Sequence, residues 1–161
     1  MKKKFNFYSP FTWISLGFGS GLSPVAPGTI GSLFALVLYI FLIDPYILTS
    51  IDTIFLVVFI FLAYILGVLS YRQTVDEEKD PSFFVWDEFV GMWIACLPFS
   101  FFNWNYSFLV ISFVMFRLLD ILKPWPIYII DKKKGSSAVM LDDVVAGIIS
   151  IPCSVLIYIL I

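Results

Sequence analysis

The chain has no histidine, two cysteines, and charged side chains at only 14% of its 161 positions. Without histidine there is no imidazole zinc site, no Ser-His-Asp triad and no phosphohistidine intermediate. Cys96 and Cys153 are followed six positions later by Phe102 and Ile159, so neither opens a Cys-x5-Arg phosphatase loop. Both lie inside apolar runs and read as small core residues, not as a disulfide or metal pair. No Asp-x-Asp pair is present to supply an aspartyl-phosphate nucleophile. No Gly-Lys-Ser/Thr closes a P-loop. The D-G-x2-A-R…G-x3-D-x3-D signature of the CDP-alcohol phosphotransferases is missing too.

In place of charge there is apolar length. Hydrophobic residues make up 60% of the chain and aromatics 19%, with a mean hydropathy of +0.96. Soluble domains carry about 45–50% apolar and about 25% charged residues, so the composition belongs to the membrane class. Charges are absent from 5–43, 53–71, 89–116 and 144–161. A run of about 20 apolar residues can span the hydrocarbon core as a helix, and 53–71 and 144–161 fit directly. The 89–116 run divides at "FFNWN" (101–105) into helices near 88–102 and 106–122. The apolar block 30–43 follows a Gly/Pro-rich stretch. The expectation is all-α: a small polytopic membrane bundle of about five membrane-embedded helices in one domain, 1–161. The segments 30–43 and 88–102 are short enough for tilt or partial immersion. A signal peptide is the alternative for the first 21 residues, but Ser9, Pro10 and Thr12 interrupt its apolar part and no A-x-A-like site follows.

With a cytoplasmic N-terminus, five spans put 1–29, 72–87 and 123–141 inside. Lys2, Lys3, Lys4, Arg72, Lys79, Lys123, Lys132, Lys133 and Lys134 then fall on the inner side, with Arg117 in the last turns of the span descending to it. The outer loops carry only Asp44 and Asp52. The positive-inside rule is met without exception. Tyr46, Trp104, Tyr106 and Tyr158 mark the outer boundary and Trp13, Trp86 and Trp125 the inner one, as aromatic belts do.

Four polar clusters share the cytoplasmic end: "GFGSGLSPVAPGTIGS" (17–32), "DPSFFVWDE" (80–88), "RLLDILKPWP" (117–126) and "MLDDVVAG" (140–147). Each has a structural reading beside a functional one. Asp87-Glu88 and Asp142-Asp143 head two helices, where acidic groups favour the positive end of the dipole by about 0.3–1 kcal/mol. Arg117, Asp120 and Lys123 share a face at i, i+3 and i+6, and an intrahelical ion pair would explain them. Asp120 nevertheless sits in the apolar frame "LLDIL", where a carboxylate needs a partner, and this favours function. The glycine stretch either offers backbone amides to an anion or breaks a first helix that packs through small residues.

Together, Asp87, Glu88, Asp120, Asp142 and Asp143 are five carboxylates on three helices at one face. Hard divalent cations prefer oxygen ligands, and Mg²⁺ works with a few carboxylates plus waters and substrate phosphate. Arg117 and Lys123 beside them suit phosphate oxygens. The inferred class is metal-assisted chemistry on a phosphate at the cytoplasmic membrane surface.

These motifs resemble the phosphatidylglycerophosphatase A family of small bacterial inner-membrane lipid phosphatases. The resemblance is carried by "GFGSGLSPVAPGTIGSL" (17–33), "DPSFFVWDEFVGMWIA" (80–95), "FRLLDILKPWPI" (116–127) and "MLDDVVAGIIS" (140–150), in the family's order and spacing. Gly135-Ser136-Ser137 stands where the family often has a Gly-Gly pair, and the 72–80 loop is short. Neither departure touches a candidate ligand. The resemblance implies Mg²⁺-dependent hydrolysis of phosphatidylglycerophosphate to phosphatidylglycerol and inorganic phosphate.

On this reading Asp87, Glu88, Asp142 and Asp143 are expected to hold one or two Mg²⁺ ions, with Asp120 as a further ligand or a base. Asp87, Asp120, Asp143, Arg117 and Lys123 are the expected catalytic residues. Ser20, Gly28 and Thr29, with Arg117 and Lys123, are expected to bind substrate. The expected partners are the phospholipid and the membrane, with no nucleic acid; homo-oligomerisation is left open. The expected location is the bacterial inner membrane, multi-pass, with the site facing the cytoplasm. The alternative from another class is a small carboxylate-based cation or proton-coupled membrane transporter. It predicts polar groups continuing toward the outer side, where these helices are nearly uncharged.

Overall fold

The computed structural model describes residues 5–47, 49–75, 81–102, 104–133 and 135–161. Lys2, Lys3, Lys4, Lys79 and Lys134 of the charge pattern, and Asp80 at the head of the second motif, lie outside the described residues. The described residues form α1 (Pro10–Ser15), α2 (Pro27–Leu38), α3 (Ser50–Thr74), α4 (Trp86–Phe102), α5 (Ser107–Leu122), α6 (Ile127–Asp131) and α7 (Ser136–Leu160). A 3₁₀ turn, Gly17–Leu22, precedes α2, and α2 runs on through a π turn, Tyr39–Ile43, into a 3₁₀ turn, Asp44–Tyr46. No strand occurs among the described residues, as the all-α expectation requires.

The long helices alternate in direction. At one end Arg72 Nε, in the last turn of α3, donates to Ser136 Oγ at the start of α7 over 3.1 Å. Arg117 Nη1, near the end of α5, donates to Ser32 Oγ in the second turn of α2 over 3.2 Å. At the other end Tyr106 OH donates to Asp44 Oδ2 over 3.4 Å, and Asn105 N donates to Tyr158 OH over 3.3 Å. Three helices are therefore rising where two descend, and the loops between them sort by end.

Local chemistry explains the boundaries. Thr49 and Asp52 form a capping box at the head of α3, so Asp52 satisfies backbone donors as well as carrying charge. Lys123 closes α5 in the left-handed region with φ 43°, and Pro124 cannot continue the helix.

Three stretches are long and apolar enough to cross a membrane: Pro27–Tyr46, Ile51–Thr74 and Ser136–Leu160. Their outward faces are apolar; on α3, Phe55 and Phe61 are 67% and 61% exposed. Such surfaces suit lipid and not water. By contrast, α4 and α5 have 17 and 16 residues, short of the about 20 that span unaided. The apolar character of α4 has another cause. It is the central helix, packed on α7, α2, α3 and α5, and buried along most of its length.

Trp86 departs from the belt expectation. It is buried, with Nε1 donating to the Ala63 carbonyl over 2.9 Å. The first turn of a central helix leaves its ring no route to the interface, whereas Trp13 and Trp125 are exposed.

Helices α4 and α7 meet at a close glycine crossing. A Cβ on Gly147 would lie 2.5 Å from the Gly91 carbonyl oxygen, and one on Gly91 would lie 2.7 Å from the Asp143 oxygen. In lipid, association rests on close packing, which small residues permit. One helical turn before this crossing stand Asp87 on α4 and Asp143 on α7.

Candidate active site

That crossing sets the separation of the carboxylates. Asp87, Glu88 and Asp143 each offer a carboxylate oxygen, and these oxygens all lie within 4.8 Å of one another. Asp87 and Asp143 are buried, and Asp87 Oδ1 accepts from the Glu88 backbone amide over 3.0 Å. Asp120 comes within hydrogen-bonding reach of Asp143, and Glu88 and Asp142 lie near enough to act on it electrostatically.

Arg117 is the cation of this group. Its Nη1 meets Asp120 Oδ2 at 2.7 Å, one turn along α5, so the intrahelical pair is present. The same nitrogen donates to Ser32 Oγ, which itself donates to the Gly28 carbonyl over 2.8 Å. Gly28 sits at the mouth of the site. A Cβ there would run into Glu88 Oε1 and lie 3.2 Å from Arg117 Nη2. A side chain at this position would have to push the Glu88 carboxylate aside, so glycine lets the first turn of α2 meet both charges where they stand.

The four carboxylates Asp87, Glu88, Asp120 and Asp143 thus form one group, with Arg117 paired to Asp120 at its edge. The Oδ1 of Asp143 is buried and has no hydrogen-bond partner among the described residues. A buried carboxylate oxygen ringed by other carboxylates calls for a proton or a cation. An all-oxygen donor set suits Mg²⁺ rather than a soft metal. The residues present therefore fit the group that the family resemblance implies.

Asp142 is drawn elsewhere. Its Oδ2 accepts from Lys123 Nζ over 2.7 Å, and Lys123 also binds Asp131 of α6. Burial works against the lysine charge, but the hydrogen bonds to Asp131 and Asp142 outweigh it and hold the pKa above the ordinary lysine value. Lys123 is cationic throughout the neutral range.

The two acidic pairs also differ in helix position. Asp87 and Glu88 do occupy the first turn of α4, where the dipole favours them. Asp142 and Asp143 do not head α7, which begins six residues earlier at Ser136 and has no acidic residue in its first turn. Helix-end electrostatics therefore do not account for them. Glycine at 135 and serines at 136 and 137 start the helix before the acidic pair is reached.

Of the residues expected to bind substrate, Gly28 and Arg117 reach the acidic group, and Thr29 follows in the first turn of α2. Ser20 is held within its own turn, donating to the Gly17 carbonyl over 2.8 Å. Gly17 and Gly21 pack against Val85 and the Phe83 backbone, so small-residue packing accounts for that half of the glycine stretch. Ser32 and Asp131 were not singled out from sequence. Ser32 follows Gly28 by four, a same-face spacing that points to it; Asp131 lies beyond two prolines, and no sequence periodicity links it to Lys123.

Residues 13–158 match the family model described as Phosphatidylglycerophosphatase A. The chain is 37% identical over 152 residues to phosphatidylglycerophosphatase A of Escherichia coli (strain K12), covering 92% of this chain and 84% of that protein. It is 34% identical over 152 residues to the Haemophilus influenzae protein of the same name, covering 92% and 89%. A Bacteroides thetaiotaomicron protein, whose name assigns it provisionally as a phosphatidylinositol-3-phosphatase, is 38% identical over 139 residues, covering 85% and 86%. No solved structure matches the chain at a significant level. With sequence similarity along nearly all of its length, and the acidic and basic motifs meeting at one end of a helical membrane bundle, the chain belongs to the phosphatidylglycerophosphatase A family.

Proposed function

We propose that the chain hydrolyses phosphatidylglycerophosphate to phosphatidylglycerol and inorganic phosphate at the cytoplasmic face of the bacterial inner membrane, with Mg²⁺ as cofactor. One observation carries the reading: Asp87, Glu88 and Asp143 present oxygens within 4.8 Å of one another, beside the Arg117–Asp120 pair and the first turn of α2. The names of the relatives supply the substrate. The charge pattern, with every basic residue among the described residues at the site end of the helices, supports the cytoplasmic orientation.

Asp87, Glu88 and Asp143 would hold the cation, with Asp120 as a further ligand through its contact with Asp143. When bound, Mg²⁺ would supply Lewis-acid polarisation of the phosphoryl oxygen and a more acidic water. Arg117 would contribute its fork of donors to non-bridging oxygens, oriented beforehand by Asp120 and Ser32. The amides of the first turn of α2 would face the same anion, with the positive end of the helix dipole behind them. Alternatively, Asp120, within reach of Asp143, would take a proton from an attacking water instead of serving as a ligand. Lys123, paired with both Asp142 and Asp131, would act by holding Asp142 apart from the cation site.

The transporter alternative needs a relay across the bundle. No carboxylate lies on α2, α3, α4, α5 or α7 between this cluster and Asp44 and Asp52 at the far end, which favours the enzyme.

The test is phosphate release from phosphatidylglycerophosphate in detergent micelles, with phosphatidylinositol 3-phosphate as the comparison substrate. Release with Mg²⁺ that stops on complete chelation by EDTA and returns on adding Mg²⁺ back is expected. Undiminished release under chelation would refute the metal role, and preference for the inositol lipid would refute the substrate.

A further inference from the structure

We propose that the groove between α2 and α3 seats one acyl chain of the lipid phosphate substrate; this rests on the lipid phosphatase reading above. The groove holds about 660 Å³, inside the range of about 300–1,000 Å³ for ligand sites. Leu38 and Leu42 form one wall, and Phe55, Phe59, Leu62 and Leu66 the other.

Its two ends are unlike. One end is lined by Phe18 and Trp86, whose rings meet edge to face at 5.9 Å. Trp86 is the immediate neighbour of Asp87 in the first turn of α4, so this is the end of the groove nearer the carboxylates. The Trp86 ring is held in place by its hydrogen bond to Ala63. The other end, at Tyr46 and Asp52, lies at the opposite end of the bundle.

From Leu66 to Asp52 the groove follows α3 for about 21 Å at the helical rise per residue. That exceeds the roughly 15 Å of hydrocarbon in one leaflet. Its one charged lining residue, Asp52, is engaged in the α3 capping box at the far end. An apolar channel that runs along the spans from the acidic site, and is polar only where it finishes, has the form of an acyl chain whose headgroup phosphate lies at the carboxylates. A second apolar recess, between α3, α4 and α7, also borders the acidic group through Leu141 and Val144, but it holds only about 430 Å³ and is the seat the labelling below must exclude.

The experiment has two arms. In the first, phosphatidylglycerophosphate with a diazirine in one acyl chain is photolysed with the wild-type protein in mixed micelles. Labelling of α2 or α3 groove residues, outcompeted by unlabelled substrate, is expected. Labelling confined to α7, or equal labelling by a diazirine phosphatidylcholine, would mean another seat or bulk lipid and would overturn the proposal. In the second, Leu66→Trp and Leu62→Trp fill the groove, while Ile65→Trp adds the same bulk to α3 outside it. The groove variants should raise KM for a long-chain substrate about tenfold, as expected from lost burial of about two methylene groups. They should leave release from a short-chain analogue and kcat unchanged. Equal effects of all three variants, or of either groove variant on both substrates, would overturn the proposal. Labelled groove residues without phosphate release would refute the proposed function and leave the groove standing. Release with label elsewhere would do the reverse.

Discussion

Alanine at Gly147 tests whether the α4–α7 crossing positions the acidic site. The added Cβ would lie 2.5 Å from the Gly91 carbonyl oxygen and 3.2 Å from Ile94 Cβ. The nearer atom is backbone and cannot rotate away. An ordinary contact begins at 3.4 Å, so the helices must part by about 0.9 Å at that point. Overpacking of this kind destabilises by about 1–3 kcal/mol, a loss that thermal unfolding in detergent can read. The larger consequence lies one turn away. Asp87 and Asp143 stand four residues before Gly91 and Gly147, so the same displacement widens the oxygen cluster. A misplacement of about 1 Å can lower a rate about 10²-fold. Phosphate release at saturating substrate and the Mg²⁺ concentration that saturates the wild type should therefore fall by about that factor in Gly147→Ala while most of the protein stays folded, and Gly91→Ala should behave alike. Partial recovery of the rate at raised Mg²⁺ is expected if the lost element is ligand spacing. A folded Gly147→Ala protein with the wild-type rate and Mg²⁺ dependence would refute the positioning role.

Other expectations follow from the same contacts. Asp87→Asn and Asp143→Asn would each remove one charge from the proposed cation site, where bound charge stabilisation is worth several kcal/mol, so phosphate release should drop by about 10²-fold or more with folding intact; near wild-type rates for both would show that the site lies elsewhere. Lys123→Met leaves Asp142 buried without that cation, which should lower stability by about 1–3 kcal/mol. The double variant Lys123→Met/Asp142→Asn should regain stability but not rate, and recovery of both would make Lys123 purely structural. The raised Lys123 pKa fixes the sign of its pH effect. Its contribution to stability is complete below the ordinary lysine value of 10.5 and is lost only as pH rises through the higher folded value. Thermal unfolding between about pH 7 and pH 9 should show no decline that vanishes in Lys123→Met.

Much of the site was legible because charge is scarce. In a chain with 14% charged residues, each carboxylate inside or beside an apolar run is conspicuous, and Asp87, Glu88, Asp120 and Asp143 do meet. Helix phase also transmitted information, since the i, i+3 spacing of Arg117 and Asp120 returns as a 2.7 Å ion pair. Position along a helix was read less well. Asp142 and Asp143 resemble a helix head in sequence, yet α7 begins at Ser136, because serine and glycine start a helix as readily as acidic residues do. The two members of that pair point apart, one toward Asp120 and one toward Lys123. Adjacent residues on a helix differ by about 100°, and which face meets which neighbour is not written in the dipeptide. Trp86 was misplaced for a related reason: an aromatic beside a span end suits an interface or a core equally, and only the centrality of α4 decides.

By itself the sequence determined the class of the molecule, its apolar helices and the chemistry available to it, because composition and hydrophobic run length act locally. With no histidine and no reactive cysteine loop, carboxylates and two cations were what remained for work on a phosphate. The tertiary structure alone decided which carboxylates come together, that Asp142 turns instead to Lys123, and that Gly91 and Gly147 are spacers. Those outcomes depend on distances between residues far apart in the chain, set by how closely two backbones can approach, and no single segment carries them.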